Sequence, residues 1–385
     1  MNQRQKELRR RQRVKEVRRK LFVLCVLSVI CASAVIALAA DQYKESKQTI
    51  AKKPEKQPAK GETKRAEENN TDTGTRKMEE QTKPEPVTIT ISAAGDCTLG
   101  TDENFDPGTN FVSKYNEVSD PGYFLSNVKD IFSSDDLTIV NLEGTLSSAG
   151  ERADKKFAFR GDPSYTEILT RGSVEAVNLA NNHSKDYGEQ SFQDTITNVE
   201  AAGITTFGYE RTAIVEKKGV KIGLLGTYVL KDGIGCKQGM LDNINSLKQQ
   251  GAQLIIASFH WGIEREYEPE AVQKELAHAA IDAGAHLVLG HHPHVLQGVE
   301  EYNGRYICYS LGNFCFGGNK NPSDKDTMIY RQTFTITGDE VAADDNKEII
   351  PCSLSSATSI NNYQPTPAEG TEKERIMNKI HGLAT

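Results

Sequence analysis

The sequence is poor in cysteine and carries no C-x-x-C pair, which removes a disulfide framework and a cysteine-based zinc site from consideration. Of its seven cysteines, Cys25 and Cys31 lie in an apolar run, leaving Cys97, Cys236, Cys308, Cys315 and Cys352. An odd number cannot pair completely. Buried free thiols are expected, because a body of this length can rest on its hydrophobic core. One bridge between two of the late cysteines stays open. A basic surplus is also lacking: 46 Lys and Arg stand against 53 Asp and Glu, a formal charge of -7. Residues 1–20 are strongly basic, so the remainder is more acidic than this total. A general nucleic-acid binder needs a basic face to displace counterions, so no nucleic-acid partner is expected. Internal repeats are absent too.

One long hydrophobic run is present. Leu21 to Ala40 has no charged residue and is long enough to cross a hydrocarbon core of ~30 Å as a helix. Lys and Arg on its N-terminal side predict a cytoplasmic N-terminus and an exported remainder. Ala37-Leu38-Ala39 fits a signal-peptide cleavage site, but signal h-regions of about 7–15 residues are shorter than this run. A retained signal anchor is therefore expected over cleavage. It places the protein in the cell membrane, single-pass, with its C-terminal domain extracytoplasmic. Residues 41–86 are rich in Lys, Glu, Gln, Thr and Pro and predict a disordered stalk. A folded domain is expected over 87–340, with a C-terminal extension over 341–385.

Strands and helices alternate through the folded part. Val87 to Ala94 alternates β-branched with small residues and breaks at Gly95-Asp96, as a strand ending on an acid. Strands are predicted over Leu137–Leu142, Val174–Leu179, Val220–Leu225, Leu254–Phe259 and Leu287–Leu289. Helices are predicted over Tyr123–Phe132, from Pro163, over Gly188–Ala202, Met240–Gln250 and Pro269–Ala283, the last with Pro in its first turn. Later segments, Gln297–Glu301, Arg305–Ser310 and Met328–Ile336, read as strands. This order predicts an α/β fold of βαβ units with a second, more antiparallel sheet packed on the first. Ligands in such folds sit beyond the carboxyl ends of the strands. Five predicted strand ends carry Asp96, Glu143, Asn182-His183, His260 and His292-His294.

Imidazole, carboxylate and amide groups together make a mixed N/O donor set suited to Zn, Mn or Fe. Two metals about 3.5–4 Å apart need a bridging carboxylate with His and Asn on either side, and such a pair activates water and clamps phosphoryl oxygens. Each residue also has a plainer role. Asp96 suits a turn, Asn182-His183 a helix cap, and His260 a satisfied core position. Glu143 follows a buried strand and needs a partner. Three imidazoles within His291-His292-Pro293-His294 seldom serve packing. His278, His286 and His381 are read as structural.

Gly95-Asp96-Cys97-Thr98-Leu99-Gly100, Asn141-Leu142-Glu143 and Asn178-Leu179-Ala180-Asn181-Asn182-His183 with Asp186 and Gly188 form the first half of an ordered motif set. His260-Trp261-Gly262, Gly290-His291-His292-Pro293-His294 with the following Val295 to Gly298, and Ser310-Leu311-Gly312-Asn313-Phe314 complete it. The set resembles the CapA/PgsA family of bacterial capsule and poly-γ-glutamate synthesis proteins, from about Val87 to Ile336. The resemblance implies a calcineurin-like metallophosphatase fold, two packed mixed β-sheets flanked by helices, behind one transmembrane helix. It implies one or two divalent metals on Asp96, Glu143, Asn182, His260, His292 and His294, with His183 as proton donor. Thr98 stands where that superfamily's first motif carries His, and Glu143 where it carries a bridging Asp. Implied partners are membrane synthase subunits and an anionic polymer. A non-catalytic scaffold and a generic exported phosphoesterase are the alternatives.

Overall fold

The computed structural model describes residues 84–343 and 346–383. The basic head, the apolar run of 21–40 and nearly all of the stalk lie outside the described residues. Among the described residues no helix is long and apolar enough to cross a membrane.

Strand β1 (Val87–Thr98) is the centre of the larger sheet. On one side it pairs in parallel with β2 (Leu137–Glu143), which continues to β5 (Ala176–Asn178) and β6 (Thr205–Phe207). On the other it pairs antiparallel with β14 (Asp326–Thr337), which continues to β16 (Lys347–Ser353) and β17 (Thr366–Pro367). A short parallel strand, β13 (Asn313–Phe316), joins the far end of β1, and β15 (Glu340–Val341) joins β14. The second sheet runs β11 (Val299–Tyr302), β12 (Arg305–Cys308), β10 (Leu287–His291), β9 (Leu254–His260), β8 (Val220–Tyr228), β7 (Ala213–Lys217). Its four inner strands are parallel. A small pair, β3 (Thr145–Leu146) and β4 (Arg160–Gly161), stands apart.

The period-two pattern of the strands decides the layers. Ile89, Ile91 and Ile139 of the larger sheet meet Ile222, Leu224, Ile256 and Leu289 of the second in one buried cluster. The next residue along, Val140, points the other way and packs with Val177 against Ile168 of α3 (Thr166–Arg171) and Val199 of α4 (Gly188–Ala201). Across the molecule, Ile255, Ala257 and Val288 pack against Ile244 and Leu247 of α5 (Lys237–Gln249) and Leu276 and Ala280 of α6 (Ala271–Ala283). The result is helix, sheet, sheet, helix. Each fully buried Ile or Leu contributes roughly 1.5–3 kcal/mol, so both the sheet-to-sheet layer and the two helix-facing layers stabilise the fold.

Several local expectations change. The predicted helix over Tyr123–Phe132 is a 3-10 turn at Pro121–Tyr123 and a single-turn helix α2 (Lys129–Phe132). Pro121, with Asp120 capping Gly122, fixes a turn there rather than a continuous helix. Instead α1 (Phe111–Val118) forms just upstream, because Asn110 accepts from the Ser113 amide as its N-cap. β1 runs past Ala94 to Thr98, so Asp96 lies within the strand rather than after it. Residues beyond Gly338 belong to the body: β16 pairs with β14, and α7 (Gly370–Gly382) sets Ile376 and Ile380 into the inter-sheet core. All five cysteines outside the apolar run are free.

Candidate metal centre

The parallel strands of both sheets end on the same edge, and their last residues carry the polar set. β1 reaches it through a close approach. A Cβ at Gly95 would stand 1.9 Å from the Gly312 carbonyl oxygen, so only glycine lets β13 come this near. The amide of Asp96 donates to that same oxygen at 2.9 Å. The β1–β2 register shifts between Ala93 and Asp96.

Asp96 is fully buried. It accepts from Asn141 Nδ2 at 2.9 Å and from the His292 amide at 3.2 Å. Its two oxygens lie 3.3 Å from His291 Nδ1 and 3.3 Å from His294 Nδ1. Glu143, the last residue of β2, accepts from the Thr98 hydroxyl at 3.4 Å and stands 3.7 Å from His260 Nε2. One ligand atom each from Asp96, Glu143 and His294 fall within 4.8 Å of one another, close enough to hold one cation. His260 Nε2 meets Asn182 Oδ1 at 2.9 Å, and the His292 ring lies 4.8 Å from the His260 ring and 5.6 Å from that of His294. His292 and His294 both sit at positive φ, 97° and 57°, a conformation disfavoured for side chains with a Cβ and held here by the surrounding structure.

Orphaned nitrogens test whether these residues suit a metal. His291 Nε2 and His292 Nδ1 are buried without a hydrogen-bond partner, while His291 Nδ1 lies 3.3 Å from Asp96. Buried polar atoms are normally satisfied, and clusters of exceptions mark functional sites. With two carboxylates and an amide oxygen nearby, the donor chemistry fits a divalent transition metal.

The electrostatics without a cation show how the carboxylates are otherwise balanced. Burial pushes Asp96 up, but the His291 and His294 imidazoles beside it overcome this and hold it well below its usual range. Burial, then the Asp96 charge, pushes Glu143 up to about 8. Burial opposes charge on His294, yet Asp96 and Glu143 raise it to about 9. His260 is pushed well below its ordinary value by burial and then by His292. His292 falls to about 3, through burial and then His294.

His183 stands beside this cluster. Its Nδ1 pairs with Asp186 Oδ2 at 2.7 Å, and the same carboxylate accepts from the Phe159 amide at 2.6 Å and from Lys155 Nζ at 2.7 Å. Lys155 also donates to the Asn182 carbonyl at 2.9 Å, tying the turn down. Burial foremost, against the pull of Asp186, lowers the His183 pKa. A cleft of about 170 Å³ opens over His183, His294 and Asn313. The helix-cap role open to Asn182-His183 is not taken, since α4 begins at Gly188 and its N-cap position, Tyr187, makes no side-chain cap.

Asp96, Glu143, Asn182, His260, His292 and His294 therefore lie together, with His183 at their edge. Sequence reading gave no role to Asn141, whose Nδ2 reaches Asp96, lies 3.4 Å from Glu143 Oε1 and 3.4 Å from His260 Nδ1. Asn178 and Asn181 donate to its Oδ1 at 3.0 and 3.3 Å and fix the amide. His294 Nδ1 pairs with Asn313 Oδ1 at 2.9 Å, another partner not anticipated. A polar Asn inside the apolar run Leu137–Leu142 was the available signal. Lys155, on an irregular loop, had none.

Fold and centre together define a two-sheet α/β protein with a buried carboxylate, imidazole and amide cluster at its strand ends. The chain belongs to the bacterial capsule synthesis protein PGA_cap family, whose model matches residues 90–318. It is 30% identical over 250 residues to the PGA biosynthesis protein CapA of Bacillus subtilis (strain 168), covering 59% of this chain and 63% of that one. It is 31% identical over 188 residues to the capsule biosynthesis protein CapA of Bacillus anthracis, covering 43% and 46%. The matches thus span less than two thirds of these relatives' own length. Among solved structures, a hypothetical protein from Thermus thermophilus gives a TM-score of 0.41 at 14% identity, covering 68% of this chain and 99% of that one. That likeness is too low to carry an argument.

Proposed function

We propose that this protein is a membrane-anchored, extracytoplasmic accessory protein in the making or export of an anionic capsule polymer of poly-γ-glutamate type. In this reading it works beside membrane synthase subunits and carries a metal site of the metallophosphatase kind. The family, the names of its relatives and the charge pattern of residues 1–40 support the cellular half. The convergence of Asp96, Glu143 and His294 ligand atoms within 4.8 Å carries the chemical half.

Asp96, Glu143 and His294 would hold the first cation, and Asn182, His260 and His292 would complete the set. A bound divalent metal supplies Lewis acidity toward a phosphoryl or acyl oxygen and activates water. Asp186 keeps the His183 ring oriented and its Nδ1 engaged. With its Nδ1–H on Asp186 the neutral ring presents an unprotonated Nε2, which would first take a proton from water and could then hand it to a leaving group in the cleft. Asn141 holds Asp96 and Glu143 in place through one amide.

The test is divalent-metal-dependent hydrolysis of polymer or phosphate esters by purified full chain, with Asp96→Asn as control. Loss of turnover on chelation and in the variant supports the reading. Wild-type protein that turns over nothing with any divalent metal overturns its enzymatic form.

A scaffold reading has one observation of its own. Thr98 puts a hydroxyl, not an imidazole, against Glu143, so the donor set around the first cation is one nitrogen short. In that case His260→Ala with His292→Ala leaves polymer output by cells unchanged at normal protein level.

A further inference from the structure

The cleft over His183 and His294 does not end at the metal centre. At about 170 Å³ it is smaller than the ~300 Å³ lower range of sites that enclose a whole ligand. A second cavity of about 350 Å³ adjoins it, and the two share Phe157, Gly318 and Asn319 in their walls. A row of rings links them. The His183 ring lies 4.5 Å from Phe159, Phe159 lies 6.4 Å from Phe157 in stacked orientation, and Phe157 lies 5.9 Å from Phe105. Phe157 is 38% exposed, and part of its ring forms the wall shared by the two cavities. Tyr363 closes the outer cavity, and together with Lys320 it lies beyond the family-matched residues 90–318.

Charge follows the same path. Lys156 and Arg265 line the cleft and Lys320 the outer cavity, all three exposed and without an ion pair among the described residues. Lys156 Nζ sits 4.8 Å over the Phe157 ring. Three acids share the walls. Asp324 is taken up by Lys379 at 2.6 Å and Tyr267 at 2.8 Å, and Asp106 by the Gly108 amide and Thr109 hydroxyl of its own turn. Glu264 alone is uncommitted. The groove therefore offers the Phe157 and Phe105 rings together with three cations in its walls.

We propose that this groove binds an extended, amide-linked anionic chain over several repeat units, with one unit at the metal centre and the following units along Phe157 and Phe105. The proposal rests on the polymer reading above and adds to it the surface, Phe157, Phe105 and Lys320, that would hold successive γ-linked glutamate repeats. Each repeat of such a chain has a methylene stem and one carboxylate. The stem suits the ring faces, and the carboxylate suits Lys156, Arg265 or Lys320. A small phosphate ester would use the inner cleft alone and leave the outer cavity without purpose.

Calorimetric titration of the full chain with glutamate and with its γ-linked trimer and hexamer tests this. Affinity is expected to rise about tenfold or more from monomer to hexamer, and Phe157→Ala with Lys320→Glu to remove that gain, about 1.4 kcal/mol. Metal content should stay unchanged in these exposed-site variants, which separates groove loss from misfolding. A hexamer that binds no tighter than glutamate, a variant that keeps the gain, or a neutral glucan hexamer that binds equally well would each overturn it. Asp96→Asn keeps the two ideas apart. Oligomer binding retained without metal leaves the groove standing, whereas metal retained without length dependence defeats the groove alone.

Discussion

His260 Nε2 and Asn182 Oδ1 meet at 2.9 Å across the junction of the two sheets. His260 ends β9 of one sheet, and Asn182 follows β5 of the other. Their contact is possible only because both parallel sets of strands terminate on the same edge. Asp96 with His294 repeats the relationship, Asp96 on β1 of one sheet and His294 in the segment that follows β10 of the other. The centre is thus a seam, and its geometry depends on the inter-sheet core beneath it.

Asn141 is the residue on which that seam is most exposed to a single change. Its side chain holds Asp96 while Asn178 and Asn181 hold it. Asn141→Ala should weaken divalent-metal affinity by about 10–100-fold, the usual cost of losing a group that orients metal ligands. Calorimetric titration of metal into the variant reads this directly, and an unchanged affinity would contradict it.

The layers and the main acid and imidazole positions were legible because their signals are local. Leu254–Phe259 is continuously apolar and ends on His260, and the structure has β9 end on that residue. The amide and loop contributions were not legible. Asn141 acquires its role from Asp96 and His260, both far away in the chain; a polar residue in an apolar run marks position 141 but does not name those partners. Lys155 reaches Asp186 from a segment without regular structure, where periodicity carries no information. The helix expected over Tyr123–Phe132 failed because Pro121 with its Asp120 cap makes a tight turn.

The C-terminal helix is part of the body. Ile376 is 0% exposed and belongs to the same core cluster as β1 and β14. Ile376→Ala should lower stability by about 2–5 kcal/mol, the range for deleting a buried aliphatic side chain. Urea unfolding measures it, and an unchanged midpoint would mean that α7 does not dock.

Acid should destabilise the fold through His286. Its Nδ1 accepts from the Ile255 amide at 3.0 Å, and burial first, then Arg305 and Lys248, push its pKa from 6.5 to about 3. Between these values the unfolded chain carries a proton that the folded chain refuses, so stability is whole above about 6.5 and falls as pH drops toward about 3. At pH 4 the loss is about 3–4 kcal/mol for this group. His286→Gln should flatten that part of the pH–stability curve, and a curve of unchanged slope would contradict the assignment.

The metal centre itself is tested by elemental analysis of the full chain after dialysis against manganese, zinc or iron. Near-stoichiometric divalent metal in the wild-type protein, lost in Asp96→Asn and in His294→Ala while the circular dichroism stays native, is the expected result. Folded wild-type protein that leaves every dialysis free of metal would contradict it.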